Sequence, residues 1–394
     1  FPPYPGVGGR RWAKFAKYLA EDGYEVHVIS AENPFDEKSL FSKDTINPRI
    51  HNFILPAEYP AVLVKPVKRV LDKILYRFYL NILKLATKGN YHDRGVLWKK
   101  SLNKKASEVI EKHGIRNVVV TGAPFSILHH CLDLKLKHPS LNLIGDMRDP
   151  WTWGTGYGMG ILSFSRKQVE EKMEREVLNG YNSLTVPSTE MQSFLNQKYD
   201  VADSKVSLIP HAYDETEIGQ LPKSISQKCR LLFYGTLYPE ISSEFRKLSE
   251  ALSKNPSISL EIYSGTERYL DYFSEDVANR VNYHPSREPS LLFQRFADCD
   301  YVLVIQPDFA KEFITTKIYE IIYSGTPILL ISSPGKLSDF IKANKLGIHI
   351  EPENINDDLH KAVSSTISDF RFSSFPIEDF SFRSVTKQLI ALFR

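Results

Sequence analysis

The run Lys317-Ile-Tyr-Glu320-Ile-Ile-Tyr-Ser324-Gly325-Thr-Pro327-Ile328-Leu-Leu-Ile331 holds one complete helix-to-strand step of a parallel α/β fold. Ile318, Ile321 and Ile322 recur at helical spacing, Gly325 follows the last periodic residue, and Pro327 forbids continuation. Four apolar residues then follow without a polar break, as expected of a strand covered on both faces. The same alternation runs outward in both directions. Strands are expected at residues 25–30, 116–121, 141–146, 183–187 and 206–210 in the first half. In the second half they are expected at 230–235, 260–264, 301–305, 327–332 and 347–350. Helical segments separate them at βαβ rather than hairpin spacing, so the fold class is α/β with two Rossmann-like doubly wound domains.

The chain of 394 residues exceeds what one hydrophobic core organises, which agrees with two series of strands. The first domain is expected over residues 1–222 and the second over 227–375, with a linker at Gln220–Ser226, where Pro222 and the serines interrupt periodicity. Residues 376–394 carry Val385, Leu389, Ile390 and Phe393 on one helical face, and this helix could pack back on the first domain. A glycine turn normally leaves a strand, so the turn at Gly6–Gly9 predicts about ten residues, including a first strand, upstream of Phe1.

Average proportions of hydrophobic (42%) and charged (25%) residues exclude a disordered, collagenous or coiled-coil chain. Three scattered cysteines form neither a disulfide framework nor a zinc cluster, and a reducing, cytoplasmic setting is expected. No run approaches the roughly 18 apolar residues of a membrane span. The net charge of +3 conceals an asymmetry: residues 60–105 carry twelve Lys and Arg against Asp72 and Asp93 alone. Within that segment Lys73, Arg77, Asn81, Lys84 and Lys88 form a polar stripe among aliphatic and aromatic residues. Such a helix can lie on an anionic membrane surface, or be packed with one solvated face. No nucleic-acid module coincides with it, and nucleic acid is not expected as a partner.

Three groups of residues suggest chemistry. Gly8 and Gly9 precede a helix whose free amides could receive a phosphate or a sugar hydroxyl, although a ligand-free tight turn satisfies the same pattern. Glu312 and Glu320 stand with seven residues between them, and Lys317 lies one turn from Glu320 if Thr315 or Thr316 caps the helix. A carboxylate can accept two ribose hydroxyl hydrogens and a lysine can balance a diphosphate, while a plain surface ion pair has the same spacing. Asp149, after the strand at 141–146 and before Pro150, could orient an acceptor hydroxyl or merely cap a turn with Arg148. Asp298-Cys-Asp300 precedes a strand, the wrong end for a ligand in a parallel sheet, and no metal site is expected.

These segments together resemble a GT-B glycosyltransferase of the family 4-like group. The resemblance rests on the stretch from Phe1 to Trp12, Leu19–Ile29, Thr121–Ser126, Asp146–Trp151, Val206–Asp214, Tyr234–Tyr238 and Lys317–Pro327, in that order. It implies two domains facing a central cleft, a nucleoside diphosphate sugar held mainly by the second domain and an acceptor by the first. It further implies metal-independent transfer with retention to a glycan or lipid-linked glycan, with no cofactor, in bacterial surface polysaccharide assembly at the inner face of the plasma membrane. On this resemblance Gly8, Gly9, Gly235, Thr236, Lys317 and Glu320 meet the donor, and Asp149 and Glu312 are catalytic. Arg10, Arg148 and Trp151 are placed on the acceptor side, although Trp151 could instead fill the core, which is the favoured reading of that residue. A nucleotide-sugar 2-epimerase of the same architecture and a non-catalytic glycan- or nucleotide-binding subunit are the alternatives.

Overall fold

In the computed structural model, which describes every residue except Gly6, 36–38, 220–228, 312, 364–369 and 371, helices and parallel strands alternate along the chain. The chain divides into one unit of Phe1–Pro210 with Val385–Arg394 and a second of His211–Ser384. The first unit thus ends at Pro210 rather than near 222, and the expected linker at 220–226 lies outside the described residues.

In the first unit, the helix Arg10–Glu21 leads to β1 (Val26–Ala31), which pairs in parallel with β2 (Ile50–Leu55). A four-stranded parallel sheet follows in the order β3 (Asn117–Gly122), β4 (Asn142–Met147), β5 (Ser183–Val186) and β6 (Val206–Leu208). Central β4 is buried at every position, as a strand covered on both faces requires. The chain's last residues belong to this unit: Asn142 donates to Leu392 O (2.9 Å), the Arg394 amide donates to Asn117 Oδ1 (2.9 Å), and Phe393 meets Tyr24 edge-on.

The second unit holds β7 (Cys229–Tyr234), β8 (Ile258–Ser264), β9 (Val281–Pro285), β10 (Tyr301–Ile305), β11 (Ile328–Ile331) and β12 (Gly347–Ile350). They form one parallel sheet in the order β12-β11-β10-β7-β8-β9. The period-2 pleat sends Leu231, Phe233, Leu303 and Leu329 into one apolar cluster and Leu232, Val302, Val304 and Leu330 into another. Both faces are therefore covered, and the order reverses between β7 and β10. Ligands of doubly wound sheets bind at the carboxyl edge of such a reversal. Two strands escaped the sequence reading, β2 and β9, and both lie at sheet edges.

Candidate functional site

In the second unit the reversal point is built around Tyr234, the last residue of β7. Its carbonyl accepts a hydrogen bond from Lys317 Nζ (2.9 Å), and its hydroxyl donates to Glu320 Oε2 (3.0 Å). Lys317 opens the helix Lys317–Ser324, so Glu320 follows one turn later and both reach back to the same residue. Glu320 is only 2% exposed, and the Lys317 ammonium also lies against the Tyr234 ring. Burial pulls the ammonium down to about 8, with Glu320 partly opposing the shift.

Gly235 follows at φ +123°, a conformation that other residues rarely adopt, and a Cβ there would stand 3.1 Å from Lys317 Nζ. Thr236 is exposed beside it. The expected threonine cap does not form: Thr316 occupies the cap position in helical conformation and its hydroxyl makes no capping bond. The helix N-terminus therefore keeps its partial positive charge without a side-chain acceptor, next to Lys317. Glu312 lies outside the described residues. Asp298 and Asp300 precede β10 at its amino end, where Asp298 pairs with Arg295 and Asp300 accepts from the Arg230 amide.

In the first unit, the carboxyl end of β4 carries two carboxylates in opposite circumstances. Asp146 is fully buried and accepts from Trp12 Nε1 (2.7 Å), Thr121 Oγ1 (2.8 Å) and Thr185 Oγ1 (2.8 Å), with Arg11 Nη2 at 3.6 Å. Arg11 also donates to the carbonyls of Ile209 and Pro210, so one carboxylate ties the first helix to β3, β5 and the end of the unit. Burial works against ionisation of Asp146, but Arg11 and the three donors outweigh it and hold its carboxyl below the ordinary range.

Asp149 is partly exposed. It pairs with Arg148 Nε (3.4 Å) and accepts from the Tyr157 hydroxyl (2.9 Å). Burial lifts its carboxyl above the ordinary range, with Arg148 and Tyr157 opposing. Arg148 is itself pinned by the carbonyls of Gly8 and Ala123. The two glycines allow the chain to approach itself: a Cβ on Gly8 would meet the Arg148 guanidinium and one on Gly9 the Phe1 backbone. Gly9 occupies the cap position of the helix Arg10–Glu21 and offers its first amides no side-chain acceptor. The Arg10 guanidinium lies over the Phe41 ring.

Trp151 takes the core alternative rather than the acceptor-side one. It is 1% exposed, stacks on Phe125 (5.2 Å, 7°) and donates to Glu170 Oε2 (2.8 Å), so it floors the Asp149 loop and cannot meet an acceptor. Asp146, Tyr157 and Tyr234 were not singled out from the sequence. Asp146 had a visible signal, a charge inside a strand that also carries Leu143, Ile144 and Met147.

No family model matches the chain, and no curated protein matches it by sequence. Solved structures do. A trehalose-6-phosphate protein of Escherichia coli bound with UDP-2-fluoro glucose superposes with a TM-score of 0.65 at 12% identity, over 99% of this chain and 96% of the other. A glycosyltransferase of Rickettsia africae gives 0.62 at 13% identity, over 100% and 98%. The chain has the GT-B fold. A protein of Listeria monocytogenes, provisionally assigned as a UDP-N-acetylglucosamine 2-epimerase, gives 0.59 at 10% identity over 99% and 93%. At these identities the GT-B likeness is one of fold, and activity has to be argued from the residues.

Proposed function

We propose that the chain is a glycosyltransferase that moves a sugar from a nucleoside diphosphate donor to a hydroxyl of a glycan or lipid-linked glycan. The observation that carries this reading is the joint hold of Tyr234 on Lys317 and Glu320 beside Gly235, at the carboxyl edge where the strand order reverses. When the glycosidic bond of the donor breaks, negative charge grows on the leaving diphosphate. Lys317 and the uncapped amides of its helix meet that charge in a partly buried setting, where they act more strongly than in water. Glu320 accepts the ribose hydroxyls. Gly235 leaves room for the phosphates to approach the backbone, with Thr236 at its side.

On the acceptor side, ionised Asp149 accepts a hydrogen bond from the incoming hydroxyl and orients it, with Arg148 and Tyr157 holding the carboxylate, and the hydroxyl's proton passes to the departing diphosphate oxygen as the glycosidic bond breaks. Arg10 completes this half, while Gly8 and Gly9 keep the donor contact, and Glu312 the catalytic role, that the resemblance assigns them. Retention, independence of metal and a role in bacterial surface polysaccharide assembly belong to the same proposal. They rest on the resemblance, as does work at the inner face of the plasma membrane.

The test begins with thermal stabilisation by UDP, GDP and ADP, and proceeds to sugar conjugates of the nucleotide that binds. Saturable stabilisation that Glu320→Ala abolishes supports the donor site; no response to any nucleotide overturns it. Release of the nucleoside diphosphate only when an acceptor is added supports transfer. The Listeria structure gives the second reading its footing, and epimerised UDP-sugar formed without acceptor would establish that reading instead.

A further inference from the structure

The helix Val70–Ala86 rests on the first unit by a narrow strip. Leu83 is its one buried residue, and Leu80 is partly buried against the core. Wound at about 100° per residue, Val70, Leu71, Ile74, Phe78, Ile82 and Leu85 fall together on another face, and each is between 43% and 89% exposed. Isolated exposed leucines need no explanation, but six along one helical face form a continuous apolar band. Lys73, Arg77 and Lys84 fall side by side on one flank of that band, and none of them makes an ion pair among the described residues.

A second segment extends the band. Arg166 donates to the carbonyls of Lys84, Thr87 and Gly89, which fastens the start of the helix Phe164–Gly180 to the carboxyl end of Val70–Ala86. Just ahead of it, Ile161 (71%) and Phe164 (77%) are exposed. The same loop reaches back to the acceptor-side carboxylate: Asn90 donates to the Tyr157 carbonyl, and the Tyr157 hydroxyl donates to Asp149.

We propose that Val70–Ala86, with Ile161 and Phe164 beside its carboxyl end, docks this unit on an anionic lipid bilayer, apolar band in the interface and basic flank on the headgroups. The partner follows from charge and length. Residues 65–88 hold seven cations and one carboxylate, so two copies meeting through this face would bring like charges together. No described helix is long and apolar enough to cross a membrane, whereas an apolar band with a basic edge suits a helix lying in the plane of one. That docking carries Asp149 toward a lipid-linked acceptor rests on the transferase reading; the docking itself does not.

Flotation of the full chain with vesicles tests it. With about 30% phosphatidylglycerol in phosphatidylcholine, the chain should float at low salt and lose binding as salt rises. Lys73→Gln, Arg77→Gln and Lys84→Gln together should weaken binding about a hundred-fold. Ile74→Asp with Phe78→Asp should abolish it, and these positions are exposed enough for the fold to survive, which an unchanged melting curve checks. Absence of flotation, equal binding to pure phosphatidylcholine, or variants that float like the parent would overturn the proposal. So would a stable dimer that Phe78→Asp splits. Thermal stabilisation by UDP, read on the same samples, keeps the two readings apart: its loss strikes the donor site and leaves the lipid result standing.

Discussion

Asp146 and Asp149 leave the same strand end three residues apart and finish in opposite states. Asp146 is the more deeply buried, yet its carboxyl is held below the ordinary range, whereas that of Asp149 is lifted above it. Depth therefore does not decide the charge; the supply of donors does. Asp146 has an arginine and three neutral donors, and Asp149 has one arginine and one hydroxyl. A carboxylate saturated by its own chain holds the fold together and has little left for a substrate. One that is incompletely served keeps capacity to accept a further hydrogen.

The widest gap between the two should appear in stability. Asp146→Ala leaves the buried Arg11 without its counter-charge and should cost about 3–5 kcal/mol in urea unfolding. Asp149→Asn should change stability by less than about 1 kcal/mol, because a carboxyl raised above its unfolded value gains nothing by ionising in the folded state. The pH dependence follows with opposite signs. The contribution of Asp146 is complete above the unfolded carboxylate range and is lost as pH falls through its depressed folded value. Equal losses in the two variants would break the comparison.

Activity should reverse the ranking. Asp149→Asn should lower acceptor-dependent release of nucleotide by about a hundred-fold or more, with donor affinity unchanged. Donor affinity should respond to the other unit. Lys317→Met removes a charge-assisted contact and should weaken UDP binding by about ten- to a hundred-fold, measured by calorimetry. With free Lys317 titrating at about 8, bound diphosphate favours its protonated form, so affinity should fall as pH rises through that value. The fall should be no steeper than about ten-fold per pH unit and should vanish in Lys317→Met.

Legibility divides along the same line. Central strands announce themselves because burial on both faces demands unbroken apolar runs, as in Ile328–Ile331 and Tyr301–Ile305. β2 (Ile-His-Asn-Phe-Ile-Leu) and β9 (Val-Asn-Tyr-His-Pro) sit at sheet edges, where exposed positions take polar residues and dilute the pattern. Lys317 and Glu320 were readable because one helical turn brings them together. Asp146 showed in the sequence only as a charge inside a strand; what it holds together did not, since its donors come from positions 12, 121 and 185 and only the fold assembles them. Trp151 stayed open between two readings for a related reason: its partner Glu170 lies on a later helix, and a tryptophan beside a candidate carboxylate looks the same whether it faces a sugar or the core.

The finest distinction concerns Tyr157, whose half-exposed hydroxyl serves Asp149 where two less exposed threonine hydroxyls serve Asp146. Its hydroxyl stabilises the ionised carboxylate, so Tyr157→Phe should move the acid limb of the activity profile to higher pH. Tyr157 is half exposed, and water will replace part of the lost bond, which limits the shift to about half a pH unit to one unit. Donor affinity and melting temperature should stay as they are. A turn-capping Asp149 with no part in transfer would leave the limb where it stands. A shift in the limb without a change in stability would separate an acceptor-side carboxylate from a structural one, which neither its position nor its pairing with Arg148 can do.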